Sequence, residues 1–150
     1  MSCFFDTNVL VYVFDRAEAL KQMRAQDLVT EHMGRRDMVL STQVLQELYV
    51  TLTRKKQLGA ADALEVVTTF AQERIVPASA DLVLRGLALG QRRQLSAWDA
   101  LILQAALDAG CETLFSEDFS AGARFDDLLV VNPFALAAHE PAPKPRARRR

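Results

Sequence analysis

Four acidic side chains, far apart in the chain, stand in contexts that suit metal-ion chemistry: Asp6, Glu47, Asp99 and Asp118. Carboxylates that meet in one place repel each other and lose hydration, so their convergence favours a bound cation. Hard oxygen ligands of this kind select Mg²⁺ or Mn²⁺. Such an ion polarises a phosphodiester and lowers the pKa of bound water. No histidine accompanies these acids, so a general base would be metal-bound water or a carboxylate.

Asp6 and Glu47 each have a structural interpretation beside the chemical one. Asp6 directly follows an apolar run and suits both the N-cap of the next helix and a metal ligand. Thr7 and Asn8 would then satisfy a cap or orient the carboxylate. Glu47 borders the apolar stripe of a predicted helix, where most glutamates are simply solvated. A capping box does not explain it, because the residue three places after Thr42 is Leu45.

Asp99 lies at the start of another predicted helix. The spacing from Ser96 to Asp99 resembles a capping box, which is the structural interpretation. A helix N-terminus also keeps a carboxylate ionised and ready to bind a cation. Trp98 and Ile102 are predicted to be core or interface residues.

Asp118 follows a short apolar run and competes with its neighbour Glu117. Both could be plain loop acids, as is expected of Asp126 and Asp127. Because side chains alternate along an extended segment, Ser116 and Asp118 share one side and Glu117 takes the other. We therefore choose Ser116 and Asp118 as the functional pair.

Short apolar strands alternate with segments of helical periodicity, which predicts an α/β fold around a parallel sheet of about five strands. The strands are expected near residues 3–5, 38–40, 75–76, 113–115 and 128–131, and the helices over 9–14, 17–33, 44–56, 61–72, 81–93 and 96–108. Gly34, Gly59 and Gly110 are predicted to end helices. In such sheets the binding crevice lies at the carboxyl ends of the strands, where Asp6 and Asp118 fall.

The composition is that of one soluble globular domain. The chain has 150 residues, of which 50% are hydrophobic and 25% charged. The presence of only two cysteines and two histidines argues against a disulfide framework and a structural zinc site. No phosphate-binding glycine loop follows any strand, which disfavours nucleotide cofactors of that kind. There is no apolar run of membrane length and no positively charged leader, so a cytoplasmic location is expected.

The charge is distributed unevenly along the chain. Five basic residues and one acid fall within residues 140–150, which leaves 13 basic and 18 acidic residues in the rest. We expect a folded domain over residues 1–138 and a disordered basic tail, rich in proline and arginine, over residues 139–150. An acidic body argues against a simple basic nucleic-acid-binding module, although not against an enzyme that gathers carboxylates.

Four segments together resemble the motifs of PIN-domain nucleases, and most of all the VapC-type toxins of bacterial toxin–antitoxin pairs. They are FDTNVL at residues 5–10, QVLQEL at 43–48, WDAL at 98–101 and FSED at 115–118. The resemblance covers roughly residues 2–134 in motif order and spacing. It leaves out the basic tail, for which such toxins offer no counterpart.

The resemblance implies a three-layer α/β/α fold and metal-dependent cleavage of single-stranded RNA or tRNA. Asp6 would be the central metal ligand, and Asp99 and Asp118 would complete the acidic site. Glu47 would act on the metal directly or through water, and Ser116 would support the site. Water would attack the phosphodiester in line with the leaving 3′ oxygen at one or two Mg²⁺ or Mn²⁺ ions. The implied partners are an antitoxin, often inserting a basic side chain, and a second copy of the chain.

Attraction of RNA phosphates to an acidic body must come from local bases. Arg92 and Arg93, just before Asp99, are weak candidates for RNA binding, and they could equally be the solvated cations that suit a helix end. The same helix-end interpretation is preferred for Lys55 and Lys56.

Three alternatives share some of these features. A receiver-like signalling domain is also α/β with acids at strand ends, but it needs an accepting Asp after a middle strand and a later Lys. A catalytically silent PIN fold acting as a binding protein is the second alternative. A haloacid-dehalogenase-type phosphatase would require Asp where Asn8 stands.

Overall fold

The computed structural model describes residues 1–56, 58–120 and 122–135. Six strands occur in these ranges: β1 (Cys3–Phe5), β2 (Met38–Ser41), β3 (Arg74–Val76), β4 (Thr113–Phe115), β5 (Arg124–Phe125) and β6 (Leu128–Val131). Six helices occur in them: α1 (Thr7–Tyr12), α2 (Ala19–Arg35), α3 (Thr42–Arg54), α4 (Ala60–Phe70), α5 (Ala80–Arg93) and α6 (Ala97–Asp108). The predicted basic tail lies outside the described residues.

The strands form one sheet in the order β3-β2-β1-β4-β6-β5, parallel except for the β5–β6 pair. In the central strand β1 every side chain is buried. Because successive side chains of a strand point to opposite faces, both faces of the sheet are covered by helices. The predicted α/β/α architecture is confirmed. The order also differs from the 2-1-3-4-5 order of doubly wound receiver-type sheets, which removes that alternative.

Hydroxyl and carboxylate side chains begin four of the helices. Asp6 caps α1, Ser41 caps α3, Ser79 caps α5 and Ser96 caps α6. Each side-chain oxygen accepts a hydrogen bond from a backbone N–H group of the first turn, which would otherwise have no partner. Asp6 directly follows β1, Ser41 is the last residue of β2, and Ser79 comes three residues after β3, so these three strand-to-helix turns are short.

Several helix boundaries differ by one or two residues from the sequence prediction, and two of the differences concern glycines. Gly34 was expected to end α2, yet the helix continues to Arg35, and Arg36 takes the left-handed conformation with φ of 59°. Gly59 was expected to stop α3, but it is the N-cap of α4, and α3 ends at Arg54. A glycine near a helix end indicates a boundary without telling which helix it belongs to.

The short strand β5 was not predicted. It pairs antiparallel with β6 and extends the sheet beyond the five expected strands. Its two residues, Arg124 and Phe125, carry no alternation long enough to be recognised.

Helices α5 and α6 pack unusually closely. A Cβ atom on Gly86 would lie 2.8 Å from Leu101 Cδ2, and one on Gly90 would lie 2.8 Å from Ala100 Cβ. Arg85 on α5 also forms a bidentate salt bridge with Asp108 on α6, with N···O distances of 2.8 and 2.7 Å. The position of α6, and therefore of Asp99 near its start, is set by this contact.

No helix within the described ranges is both long and apolar enough to span a membrane.

Candidate active site

Asp6 lies between the central strands β1 and β4. The chain continues from β1 to one side of the sheet and from β4 to the other, so this is the topological switch point of the sheet. Asp6 follows β1, and Ser116 follows the neighbouring strand β4; Asp6 N donates to Phe115 O over 3.0 Å. Ser116 Oγ donates to Asp6 Oδ2 over 2.7 Å, and Thr7 N donates to Asp6 Oδ1, also over 2.7 Å. Asp6 is thus both the cap and an oriented carboxylate, so the two interpretations of its role are compatible.

Glu47 is held from two sides on α3. Thr7 Oγ1 donates to Glu47 Oε1 over 2.6 Å, and Gln43 Nε2 donates to Glu47 Oε2 over 3.2 Å. Gln43 Nε2 also lies 3.2 Å from Trp98 O, which connects α3 to the first turn of α6. These contacts show that Glu47 is not a solvated surface residue.

Asp99 and Asp118 approach from α6 and from the loop after β4. Ser96 Oγ accepts from Asp99 N over 3.1 Å, which is one half of the expected capping box. Within the described part of the chain the Asp99 carboxylate accepts no hydrogen bond, so the reciprocal half is missing. Asn8 Nδ2 donates to Asp118 Oδ2 over 3.2 Å, and Asp118 N donates to Ser116 Oγ over 3.0 Å.

The four predicted acids line one open cavity of about 470 Å³, here called the acidic cavity. Its other lining residues are Thr7, Asn8, Gln43, Gln46, Val50, Thr51, Trp98 and Ile102. Four separate segments of the chain therefore bring their carboxylates to one place, at the edge of the sheet where open α/β folds bind ligands.

The electrostatics of the cavity favour neutralisation by a cation. Burial raises the pKa of Asp6 to about 7, against the opposing effect of the hydrogen bonds from Ser116 and Thr7, and the charges of Asp118 and Glu47 raise it further. Loss of hydration, followed by the charges of Asp99 and Glu117, raises the pKa of the exposed Asp118. A positive ion would reverse both shifts.

The donor set fits a hard divalent cation that keeps part of its water shell. In the described residues, no three of the four carboxylates have ligand atoms all within 4.8 Å of one another. Mg²⁺ commonly binds through one or two carboxylates and several waters, which this spacing permits. Asp6 and Asp99 offer the strongest donors, since one is buried and oriented and the other has no protein donor.

Glu117 does not take part in the cavity wall, as its predicted orientation implied. It accepts hydrogen bonds from Tyr12 Oη over 2.8 Å and from Lys21 Nζ over 3.2 Å. Lys21 and Tyr12 were not singled out from the sequence, because nothing in their spacing connects them with residue 117. Gln43 was missed as well, although its i, i+4 relation to Glu47 was visible.

The remaining predicted residues lie apart from the carboxylates or were misjudged. Arg92 and Arg93 are exposed at the end of α5 and do not line the cavity; the Arg93 guanidinium stacks 4.5 Å from the centre of the Phe125 ring. Ile102 is buried as expected, whereas Trp98 is 66% exposed and is therefore not a core residue; the alternative that it is an interface residue stays a prediction.

A second polar cluster lies toward the amino end of the strands. It consists of Cys3, His32 and Asp37, here called the His32 cluster, and one potential ligand atom from each lies within 4.8 Å of the others. His32 Nδ1 is 2.7 Å from Asp37 Oδ1, and the ring packs edgewise on Phe5 and Phe115. Burial and the charge of Asp37 raise the pKa of the Cys3 thiol to about 11, so the thiol is neutral and inert.

Fold and cavity together define an α/β protein with a cation-suited acidic site at the switch point of its sheet. The chain belongs to the PIN domain family, which it matches over residues 3–124. A comparison with curated proteins gives no significant match.

Solved structures with the same fold include a toxin and a toxin–antitoxin complex. VapC20 of Mycobacterium tuberculosis, described as a sarcin–ricin loop cleaving toxin, is 24% identical with a TM-score of 0.64, covering 79% of this chain and 93% of its own. A toxin–antitoxin complex from Klebsiella pneumoniae is 25% identical with a TM-score of 0.63, covering 88% and 98%. FitAcB from Neisseria gonorrhoeae is 22% identical with a TM-score of 0.64, covering 89% and 99%.

Proposed function

We propose that this PIN-domain protein is a Mg²⁺- or Mn²⁺-dependent endoribonuclease that cleaves single-stranded RNA or tRNA, and that it is the toxin of a type II toxin–antitoxin pair. The observation that carries the proposal is the meeting of Asp6, Glu47, Asp99 and Asp118 in one cavity. Membership of the PIN family and the toxins among its structural neighbours support it.

Asp6 is proposed as the central cation ligand. Its carboxylate is buried and pinned by Ser116 and Thr7, so a cation would meet a donor that is already oriented. The rise of its pKa to about 7 means that binding near neutral pH displaces a proton, and affinity falls as the pH drops. When bound, the cation would polarise the phosphodiester and activate a water molecule.

The other three acids have separate proposed roles around the cation. Asp99, which lacks a donor among the described residues, is available to bind the cation or to accept the proton of the attacking water. Asn8 steadies Asp118, while Thr7 and Gln43 hold Glu47 facing the cavity. In the proposed reaction a bond forms between water oxygen and phosphorus, and the bond from phosphorus to the 3′ oxygen breaks. The attacking water gives its proton to a carboxylate, and the leaving 3′ oxygen takes up a proton from solvent.

The proposed partners are an antitoxin protein and a second copy of this chain, in a reducing cytoplasm. A toxin–antitoxin complex from Klebsiella pneumoniae is among the structural neighbours, which supports the first of these. The cavity walls carry four acids, so a basic side chain of the antitoxin would find complementary charge there.

Cleavage of short single-stranded RNA and of tRNA by the purified protein, with Mg²⁺, Mn²⁺ or EDTA, tests the proposal. We expect cleavage with either ion and none with EDTA. Asp99→Asn should abolish it, whereas Asp127→Asn, which changes an exposed acid outside the cavity, should not. If the wild-type protein cuts no RNA with either ion, and expression of it is as harmless to cells as expression of Asp6→Asn, the proposal is wrong.

A further inference from the structure

Trp98 presents a large aromatic surface to solvent beside the carboxylates. Its side chain is 66% exposed, and it lines the acidic cavity as the immediate neighbour of Asp99. Most tryptophans in folded proteins lose far more of their surface, because burying the indole is strongly favourable. Because this exposed indole also lines the cavity that holds the carboxylates, it is a candidate contact for a ligand of that cavity.

The backbone that carries the indole is fixed. Ser96 Oγ accepts from Asp99 N over 3.1 Å, which caps the helix at this point. Gln43 Nε2 donates to Trp98 O over 3.2 Å, and the same nitrogen donates to Glu47 Oε2. The backbone to which the ring is attached is thus tied to the contacts that orient the Glu47 carboxylate.

The lining of the cavity combines two kinds of surface. Trp98, Val50 and Ile102 contribute apolar surface, and the four acids contribute charge. A nucleotide has the same two kinds of surface, because its base is flat and apolar on both faces and its phosphate is the group that a cation on the carboxylates would hold. The volume of about 470 Å³ falls within the range of small-ligand sites.

We propose that Trp98 is the platform on which an unpaired nucleobase of the substrate stacks, next to the phosphate that faces the carboxylates. This inference rests on the proposed ribonuclease function and adds the residue that recognises the substrate as single-stranded. A base in a duplex is covered by its neighbours on both faces and has no free face to offer. Base–aromatic stacking tolerates any base, so Trp98 would select strandedness and not sequence.

Trp98 is the sole tryptophan of the chain, which makes its fluorescence a direct probe of stacking. We would titrate Asp6→Asn protein, which should bind without cleaving, with a short oligoadenylate and with an abasic phosphoribose chain of equal length. The expected result is quenching by the oligoadenylate and little change with the abasic chain. Equal quenching by the two would overturn the inference.

Affinity measured by anisotropy of end-labelled RNA provides the second arm, in the same Asp6→Asn background. Trp98→Ala should weaken oligoadenylate binding about 10-fold, while Trp98→Phe should retain most of the affinity. Leu84→Ala is the matched control, because Leu84 is 68% exposed on α5 and lies outside the cavity. In the otherwise wild-type enzyme, Trp98→Ala should raise KM for RNA and leave kcat nearly unchanged.

The possible outcomes separate this inference from the proposed function. Base-dependent quenching in a protein that never cleaves RNA would support the stacking role and contradict the nuclease. Cleavage of RNA by the wild-type protein, with an unchanged KM in Trp98→Ala, would support the nuclease and contradict the stacking role. If Trp98→Ala weakens binding of an antitoxin peptide but not of the oligoadenylate, the exposed ring serves a protein contact and the inference is wrong.

Discussion

The acidic cavity and the His32 cluster are two groups of polar side chains at opposite ends of the same strands. In the His32 cluster the polar groups have partners within the cluster. Asp37 pairs with His32, the thiol of Cys3 is neutral, and the His32 ring packs edgewise against Phe5. In the acidic cavity like charges face each other, and the Asp99 carboxylate has no donor among the described residues. A polar cluster that is complete in itself stabilises the fold, whereas an incomplete one is suited to bind something else.

The largest expected difference between the two regions is in catalysis. Asp6→Asn should lower kcat/KM for RNA cleavage by at least about 100-fold, because the amide cannot replace the charge of a cation ligand or proton acceptor. The thermal unfolding midpoint should not fall, since Asn keeps both an acceptor for Thr7 N and a donor toward Ser116 Oγ. A quantitative cleavage assay with circular dichroism melting measures both. Retained activity would remove Asp6 from the site.

The same substitution should reveal the cost of the buried charge. The pKa of Asp6 is raised from 3.8 to about 7 on folding, so the native state binds more protons than the unfolded state between these values. Stability therefore falls as the pH rises through that window. Above it, Asp6→Asn should be the more stable protein by on the order of 4 kcal/mol in EDTA.

Denaturant unfolding at pH 4 and pH 8 measures this difference. The advantage of Asp6→Asn should be nearly absent at pH 4 and should shrink at pH 8 when Mg²⁺ is added, because the ion stabilises only the wild-type native state. An advantage that is independent of pH would mean that the carboxylate is not the cause.

The opposite outcome is expected in the His32 cluster. Asp37→Ala should lower the free energy of unfolding by about 1–3 kcal/mol, because it leaves a buried imidazole nitrogen without its partner. Cleavage by the folded fraction should be unchanged. Glu65→Ala, at an exposed position on α4, is the control for loss of an acid. A loss of activity in folded Asp37→Ala protein would show that the two regions are not independent.

The smallest effect is expected at Glu117, next to the cavity but engaged elsewhere. Glu117→Gln should reduce stability by less than about 1 kcal/mol, since it weakens a partly exposed ion pair with Lys21. Its cleavage rate should stay near that of the wild type, whereas Asp118→Asn should lose activity. Steady-state assays of the two neighbouring variants provide the comparison. Equal losses would mean that the loop after β4 contributes both acids.

Much of this organisation could be predicted from the sequence because it depends on short-range rules. Apolar runs ended by acids located the strands and the edge at which Asp6 and Asp118 meet. Alternation along an extended segment correctly separated Asp118 from Glu117. The family resemblance then indicated which helical acids, Glu47 and Asp99, to place beside them, and the structure brings all four into one cavity.

The features that were missed depend on long-range packing. The exposure of Trp98 follows from how α6 is placed against its neighbours, and residue type alone favours burial for tryptophan. The partners of Glu117 come from α1 and α2, about a hundred positions away in the chain. The left-handed Arg36 depends likewise on the path from α2 into β2, which the nearby Gly34 only approximately indicated.

The contact between α5 and α6 bears on how the chain tolerates change. At Gly86 and Gly90 even one methyl group would meet atoms of the opposing helix, so the seat of Asp99 is set by two positions that carry no functional group. Substitutions at positions outside the acidic cavity can therefore disturb its geometry. Larger residues at these two positions of α5 would displace Leu101 or Ala100, and through them the helix that carries Asp99.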